Sequence, residues 1–179
     1  MLREVPIPAP PAGRIPASVD LLLRETDRRI AAYFESGGAK RAPKFVPSDH
    51  LAVYDALTAV RRMLPGPPPA FLEWGCGFGV ATCLAHLAGF NAAGIELDEE
   101  LVGHATALAA EIRLPVRFAT GDIFAPETAD RATGAAVVFA YPWPLEVGRW
   151  TKRFDTLARP GALLLTFEGI DEMHLYRRD

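Results

Sequence analysis

The fold is decided by the stretch Phe71-Leu72-Glu73-Trp74-Gly75-Cys76-Gly77-Phe78-Gly79. An apolar run meets an acidic residue there and is followed by three glycines at alternate positions, the pattern of a buried strand that ends in a nucleotide-binding turn. Glycine has no Cβ, so the backbone of such a turn can lie directly against a ligand, and the helix that follows presents free N–H groups. We therefore predict a strand, a ligand-binding loop and a helix in this order.

A second acidic residue, Glu96, ends the next candidate strand, which covers residues 92–95. It lies 21 positions after Gly75. Nucleotide-binding folds place a carboxylate that accepts hydrogen bonds from ribose hydroxyls at a similar spacing of about 20 positions. Together, the glycine turn and this carboxylate indicate a ligand that contains adenosine.

The spacing of the glycines narrows the choice of ligand. The dinucleotide fingerprint G-x-G-x-x-G/A would need a glycine or alanine where the chain has Val80 or Thr82. The sequence also has no phosphate loop of the form G-x-x-x-x-G-K-[ST]. Its E-x-G-x-G-x-G arrangement resembles instead the first motif of the class I, seven-strand S-adenosylmethionine-dependent methyltransferases, whose ligand has an adenosine but no phosphate.

This resemblance extends over residues 70–167 and implies roles for particular residues. In the family, the acid before the glycines lies near the amino-acid part of the cofactor, the acid that ends the second strand holds the ribose, and an acid after the third strand contacts the adenine. Glu73, Glu96 and Asp122 match these positions. The residues implied to bind S-adenosylmethionine and its product S-adenosylhomocysteine are Glu73, Gly75, Cys76, Gly77, Gly79, Glu96, Leu97, Asp122, Ile123 and Tyr141.

The fourth predicted strand, residues 135–140, opens into Tyr141-Pro142-Trp143-Pro144, where the family places its methyl-transfer chemistry. Methyl transfer is an in-line displacement from a sulfonium, so positioning can supply much of the catalysis and no protein nucleophile is needed. Aromatic faces also stabilise a nearby positive charge. Tyr141 and Trp143 are therefore our candidate catalytic residues, lining the methyl channel. The alternative is a rigid, proline-flanked packing loop.

The methyl acceptor stays open at this point, and the loop after the fourth strand helps mainly by exclusion. Methyltransferases of nucleobase amino groups carry [DN]-P-P-[YFW] here, whereas this chain has Tyr141 in the polar position. Metal-dependent catechol-type enzymes need an acidic cluster after the fourth strand, and Glu146 stands alone there, so no metal is predicted. We expect an N or O acceptor, either a protein lysine or a small molecule.

A weaker resemblance connects the N-terminal part to the small protein-lysine methyltransferases of prokaryotes and mitochondria. These proteins have a Phe/Tyr-Val-Pro-Ser/Thr element ahead of a helix, as in Phe45-Val46-Pro47-Ser48. A lysine side chain in water has a pKa of about 10.4 and must lose its proton before it attacks. Burial beside the sulfonium would favour that loss. Asp49, His50 and Glu168 are candidate proton acceptors, unless they serve only as helix N-terminal and strand-end residues.

The remaining pattern predicts an α/β fold. Strands and helices alternate as in right-handed βαβ units of a Rossmann-like, doubly wound, mostly parallel sheet. Only twelve residues follow the fifth strand, so we expect five strands and at most a short sixth at residues 172–176, a C-terminally shortened class I methyltransferase fold. We assign residues 70–179 to the cofactor-binding core. Residues 1–69 form a Pro-rich leader and a two-helix extension that serves as a lid on the substrate side.

Helices outside the glycine motif are predicted from capping and periodicity. The first N-terminal helix runs from Ser18 to about Ser36, and the second follows Ser48, a good N-cap. Later in the chain, Asp98 is the predicted N-cap of a helix whose first turn holds Glu99 and Glu100.

Composition places the chain among single-domain globular proteins. It has 179 residues, of which 50% are hydrophobic, and a net charge of −3, which argues against strong nucleic-acid binding. No stretch reaches 18 uncharged apolar residues and no signal peptide is evident, so we expect a cytoplasmic protein that does not cross a membrane. Cys76 and Cys83 allow neither a disulfide framework nor a metal quartet, and Cys83 is a predicted core residue.

Two other classes of function stay open. A non-catalytic cofactor-binding module, acting in regulation or assembly, would keep the fold without an acceptor site, and the shortened C-terminus and the unusual loop at Tyr141 favour it. A nicotinamide-dependent oxidoreductase is the second alternative, and the glycine spacing argues against it.

Overall fold

The computed structural model describes residues 1–10, 13–43, 45–168 and 172–179. Strands and helices alternate from Ala70 to Glu168, as the sequence predicts. The strands are β1 (Leu2–Val5), β2 (Ala70–Trp74), β3 (Asn91–Glu96), β4 (Arg117–Thr120), β5 (Val137–Ala140), β6 (Leu163–Glu168) and β7 (Glu172–Arg178). The helices are α1 (Ala17–Glu35), α2 (Gly38–Arg41), α3 (His50–Met63), α4 (Val80–Leu87), α5 (Glu99–Glu111), α6 (Ala129–Thr133) and α7 (Val147–Leu157), with a 3₁₀ turn at Pro126–Thr128.

In the described residues the strands form one mixed sheet in the order β1-β7-β6-β5-β2-β3-β4. Strands β2 to β6 are parallel to one another, and β7 runs antiparallel to both β6 and β1. The prediction of a mostly parallel sheet of five to six strands was therefore wrong in its count, because the sheet has seven strands.

The seventh strand comes from the leader, for which the sequence predicts no secondary structure. Leu2 to Val5 pair with Leu175 to Arg178, so the sheet takes one edge strand from each end of the chain. The predicted sixth strand at residues 172–176 exists and extends to Arg178. Strand β1 has only four residues, with two exposed charges in the middle, and its partner lies far away in the sequence. No local apolar pattern could indicate it.

Helices cover both faces of the sheet and divide the core into two apolar clusters. Helices α1, α3, α4 and α5 pack on one face with Phe71 and Phe139, and α6 and α7 pack on the other with Leu72 and Val138. Adjacent strand residues therefore point to opposite faces, as the two-residue period of a strand requires. This arrangement confirms the doubly wound architecture and the core position of Cys83.

Two N-caps illustrate how local chemistry sets the helix boundaries. Asp98 accepts hydrogen bonds from the N–H groups of Glu100 (2.9 Å) and Leu101 (3.3 Å), as predicted. The prediction of Ser48 as the second N-cap was wrong by one residue, because the side chain of Asp49 accepts from two N–H groups in the first turn of α3. Both residue types are good caps, so the sequence could not choose between these neighbours.

Candidate functional site

Four neighbouring parallel strands end at one edge of the sheet and place the predicted site residues there. Glu73 lies next to last in β2, Glu96 ends β3, and the loops after β4 and β5 bring Asp122 and Tyr141 to the same edge. Ligands in open α/β sheets bind outside the carboxyl ends of the strands. A cavity of about 700 Å³ lies at this edge, within the range of roughly 300–1,000 Å³ that is typical of small-molecule sites.

The glycine loop forms one wall of this cavity. Its N–H groups at Gly75 and Cys76 donate to the carbonyl of Ile95 on the neighbouring strand, at 2.8 and 3.0 Å. Gly77 has a φ of +50°, and a Cβ at this position would lie 2.7 Å from Cε2 of Phe45. The ring of Phe45 therefore lies directly on the bare backbone of the loop, which only glycine permits.

Gly79 is the one predicted cofactor residue that the structure places outside the cavity lining. It is the N-cap of α4, with a φ of +72°. A Cβ there would collide with the ring of Phe118 and would lie 2.9 Å from Cβ of Ala105. The third glycine of the motif thus allows α4 to begin at this point and leaves room for α5 and β4 to pack.

Glu96 is held by three backbone N–H groups. Its Oε1 accepts from Leu97 (2.8 Å) and Asp98 (3.1 Å), and its Oε2 accepts from Gly77 (2.9 Å). A carboxylate offers about four acceptor sites, two on each oxygen. Three of these sites are filled, so Oε2 can accept one further hydrogen bond from a ligand.

Glu73 is a buried carboxyl group beside the glycine loop, with 6% of its surface exposed. It accepts hydrogen bonds from the backbone N–H (2.7 Å) and the hydroxyl (2.5 Å) of Thr82 in α4. Burial raises the pKa of Glu73 to about 8 despite these hydrogen bonds. Burial also raises the pKa of the Cys76 thiol, which keeps that thiol protonated and unreactive.

The loop after β4 is fixed from within and from α7. Asp122 accepts a hydrogen bond from the N–H of Phe124 (2.8 Å), which folds the loop back on itself. The guanidinium group of Arg153 donates to the carbonyls of Ile123 (2.9 Å) and Ala125 (2.8 Å). The position of Asp122 and Ile123 at the cavity therefore depends on a helix about 30 residues further along the chain.

Sequence reasoning missed a second wall, which the start of α7 contributes. The guanidinium carbon of Arg149 lies 3.6 Å from the centre of the Phe124 ring. Trp150 packs edge-on against the same ring at 5.8 Å, and its Cη2 lies 3.3 Å from the place where a Cβ of Gly75 would be. All three side chains line the cavity. Trp150, an aromatic residue in the first helix after the Tyr141 loop, is the sequence feature that could have indicated this wall.

Tyr141 and Trp143 both line the cavity, and their role in a methyl channel stays a prediction. The ring of Tyr141 packs against Phe167 at 5.1 Å, which fixes its orientation from β6. Trp143 also lines the cavity and is 45% exposed, so part of its ring faces solvent.

The segment before α3 contributes to the lining from the N-terminal side. Phe45 stacks on Phe78 at 5.1 Å, with His50 lining the cavity at the start of α3. Of the three candidate proton acceptors, His50 is the one among the lining residues. Asp49 caps α3 at Leu51 and Ala52. Glu168 accepts from the hydroxyl of Thr166 at the end of β6 and lies outside the lining.

The structure thus brings nearly all of the predicted site residues together around one cavity. They come from strands β2 and β3 and from the loops that follow β2, β3, β4 and β5. The predicted residues that line the cavity are Glu73, Gly75, Cys76, Gly77, Glu96, Leu97, Asp122, Ile123, Tyr141 and Trp143.

Two features are absent from residues 1–10, 13–43, 45–168 and 172–179. No helix in these ranges is both long and apolar enough to span a membrane. No group of three or more His, Cys, Asp or Glu side chains in them could hold a metal ion.

Comparison with known proteins gives matches by structure. No protein-family model and no curated protein sequence matches the chain. An RNA methyltransferase from Salinibacter ruber, crystallised with S-adenosyl-L-homocysteine, superposes with a TM-score of 0.60 and 21% identity over 74% of this chain and 92% of the other. The magnesium protoporphyrin IX methyltransferase of Synechocystis PCC 6803, also with bound S-adenosylhomocysteine, gives 0.54 and 18% over 78% and 70%.

An S-adenosylmethionine-dependent methyltransferase from Agrobacterium tumefaciens superposes with a TM-score of 0.55 and 17% identity. The match covers 66% of this chain but only 44% of that larger protein. The chain therefore has the fold of the class I S-adenosylmethionine-dependent methyltransferases. The resemblance to the protein-lysine methyltransferases stays a prediction.

Proposed function

We propose that this chain is an S-adenosylmethionine-dependent methyltransferase that transfers a methyl group to an N or O acceptor. The main support for this proposal is the hydrogen bonding of the Glu96 carboxylate at the cavity. Three backbone N–H groups hold its carboxylate and leave Oε2 with room for one more donor. A ribose hydroxyl is a donor of the right kind, and the resemblance assigns this position to ribose.

The other groups at the cavity fit the remaining parts of the same ligand. Glu73 offers a carboxyl group beside the glycine loop, where the resemblance places the amino-acid part of the cofactor. Asp122 and Ile123 lie on the loop implied to contact the adenine, next to the aromatic ring of Phe124. Gly75 and Gly77, both at positive φ, contribute backbone alone to the cavity lining. When bound, the cofactor supplies a methyl group that is activated by its sulfonium.

For the transfer itself, the chain has to hold the acceptor in line with that methyl group. Tyr141 and Trp143 lie at the cavity beyond β5, and we assign them to the methyl channel. Residues 1–69 contribute Phe45 and His50 to the lining, in support of a lid on the substrate side. The acceptor is either a protein lysine or a small molecule, and we expect the protein to act in the cytoplasm.

A non-catalytic cofactor-binding module is the second candidate. Its sequence support was the missing C-terminal part of the sheet together with the unusual loop at Tyr141. Strands β1 and β7 now complete the sheet, so the loop remains its main support.

Two measurements test the proposed function. Calorimetric titration of the ligand-free protein with S-adenosylmethionine, S-adenosylhomocysteine and NAD should give micromolar binding of the first two and none of NAD. Incubation of the protein with tritiated S-adenosylmethionine and a cell extract should then label an acceptor. Binding without labelling would support the non-catalytic module, and no binding at all would overturn both candidates.

A further inference from the structure

We propose that His50 accepts the proton that the methyl acceptor loses during transfer, an inference that rests on the proposed methyltransferase function. His50 is the first residue of α3 and lines the same cavity as Tyr141. It would select acceptors that are neutral and still carry their proton, such as a hydroxyl group or an uncharged amine.

The location of His50 relative to the two faces of the sheet supports this role. Tyr141 packs against the apolar cluster that contains helices α1 and α3, whereas Ile123 and Phe124 belong to the cluster on the opposite face of the sheet. In the sheet order, β5 and β4 also lie on opposite sides of β2. His50 begins α3, on the face of the sheet against which Tyr141 packs, whereas Ile123 and Phe124 of the loop assigned to adenine pack on the other face.

The chemical state of the imidazole also suits a proton acceptor. Burial lowers the pKa of His50 below its ordinary value, so the ring is neutral at pH 7 and can take up a proton. Two carboxylates oppose this shift and would stabilise the charged ring once it forms, namely Asp27 on α1 and Asp49 immediately before α3. The side chain of Asp49 accepts hydrogen bonds from the N–H groups of Leu51 and Ala52, which fix its position.

The transfer balances in charge when His50 takes the proton. A lone pair of the acceptor forms the new bond to the methyl carbon, and the carbon–sulfur bond breaks with its electrons left on the sulfur. The acceptor's proton moves to the imidazole. One positive charge on the sulfonium is thus replaced by one on His50, and the net charge of the cavity does not change.

Two other carboxyl groups, Glu73 and Glu168, are engaged elsewhere. Glu73 accepts two hydrogen bonds from Thr82 behind the glycine loop. Glu168 accepts from Thr166 and is not among the lining residues. The sequence suggested Asp49, His50 and Glu168 as proton acceptors. Of these three, only His50 lines the cavity, and its ring is neutral and able to take up a proton.

The first experiment compares His50→Gln with His86→Gln, a matched control in the last turn of α4 and outside the cavity lining. With tritiated S-adenosylmethionine and a cell extract that the wild type labels, His50→Gln should lower the initial rate about 100-fold or more at neutral pH. Its rate should recover as the pH rises, because hydroxide replaces the lost base. Affinity for S-adenosylhomocysteine and the melting temperature should stay within error of the wild type. Free imidazole should partly restore the rate of His50→Ala.

The second experiment measures the pKa of the His50 imidazole by NMR titration, with His50→Gln used to assign its signal. The ring should be neutral at pH 7 in the protein with bound S-adenosylhomocysteine, and Asp27→Asn should lower its pKa further. A wild-type rate in His50→Gln, or a ring that is protonated at pH 7, would overturn the assignment of His50. Failure of the wild type to label any acceptor would instead overturn the proposed function, and this inference with it.

Discussion

Phe45 lies on Gly77 so closely that a single added methyl group at Gly77 would come within 2.7 Å of the ring. This contact joins the N-terminal segment to the glycine loop and closes one side of the cavity. The two residues are separated by the whole of α3 and β2 in the sequence. The N-terminal segment is therefore part of the site's wall and takes its position from the loop.

The contact between Phe45 and Gly77 makes Gly77→Ala a direct test of the wall. We expect at least a tenfold loss of affinity for S-adenosylhomocysteine, because the new Cβ meets the ring and the residue has a positive φ, which costs about 1–2 kcal/mol. Calorimetry of Gly77→Ala, Phe45→Leu and the double variant measures the coupling. The double variant should lose less binding free energy than the sum of the losses in the two single variants. Gly103→Ala, where a Cβ meets nothing within 4 Å, is the matched control.

Gly79→Ala should affect stability more than ligand binding. Its Cβ would collide with Phe118 and Ala105 in the core behind the cavity, and such overpacking costs about 1–3 kcal/mol. Urea denaturation should show this loss in the free energy of unfolding, with Gly134→Ala, which has open space around it, close to the wild type. An unchanged stability together with a large loss of affinity would make Gly79 a ligand contact after all.

Replacement of Glu96 tests the residue on which the proposed function depends most. Glu96→Ala should weaken binding of S-adenosylhomocysteine about 10- to 100-fold, because it removes a charged acceptor and frees three N–H groups of the loop. Glu99→Ala, an exposed acid in the first turn of α5, should bind as the wild type does. The ribose assignment fails if both variants bind equally well by calorimetry.

Ligand binding should depend on pH through Glu73. In the free protein its pKa is raised to about 8 by burial, so the group is protonated at pH 7. A ligand ammonium group nearby favours the carboxylate, so affinity should rise with pH up to about 8 and binding near pH 7 should release a proton. Calorimetry in buffers of different ionisation enthalpy counts that proton. In Glu73→Gln the proton release should disappear; its persistence would show that another group titrates.

The attachment of β1 should also depend on pH. His174 on β7 bonds to Glu4 on β1 at 2.8 Å, and this hydrogen bond raises the pKa of His174. A raised pKa stabilises the fold below the unfolded pKa of about 6.5, and the benefit is lost as the pH rises through the folded value. The wild type should therefore exceed Glu4→Gln in free energy of unfolding by more at about pH 5.5 than at about pH 8.5. Both side chains are accessible, so the difference should stay below about 1 kcal/mol.

The parts of the fold that the sequence predicted correctly are those with local signals. The cap at Asp98 needs only the residues of the next turn, and β2 with its glycine loop is readable within nine positions. The carboxyl ends of parallel strands meet at one edge by topology, so the predicted acids could be expected to converge.

What the sequence did not predict depends on contacts between distant segments. Strand β1 exists because β7 pairs with it, and Arg149 and Trp150 reach the cavity because α7 packs beside the loop that contains Phe124. Gly79 has the right residue type and spacing for a ligand contact. Only the packing of Phe118 against it reveals its structural role.

The pairing of β1 with β7 also constrains how the protein can be made. Glu4 and His174 are 170 positions apart, so β1 leaves the ribosome long before its partner strand has been translated. Until then its backbone groups remain unpaired, and a nascent strand in this state is prone to join other chains. The charges of Arg3 and Glu4 and the proline directly after β1 oppose such misassociation. We expect closure of this edge to be the last step in assembly of the sheet, completed only after translation of β7.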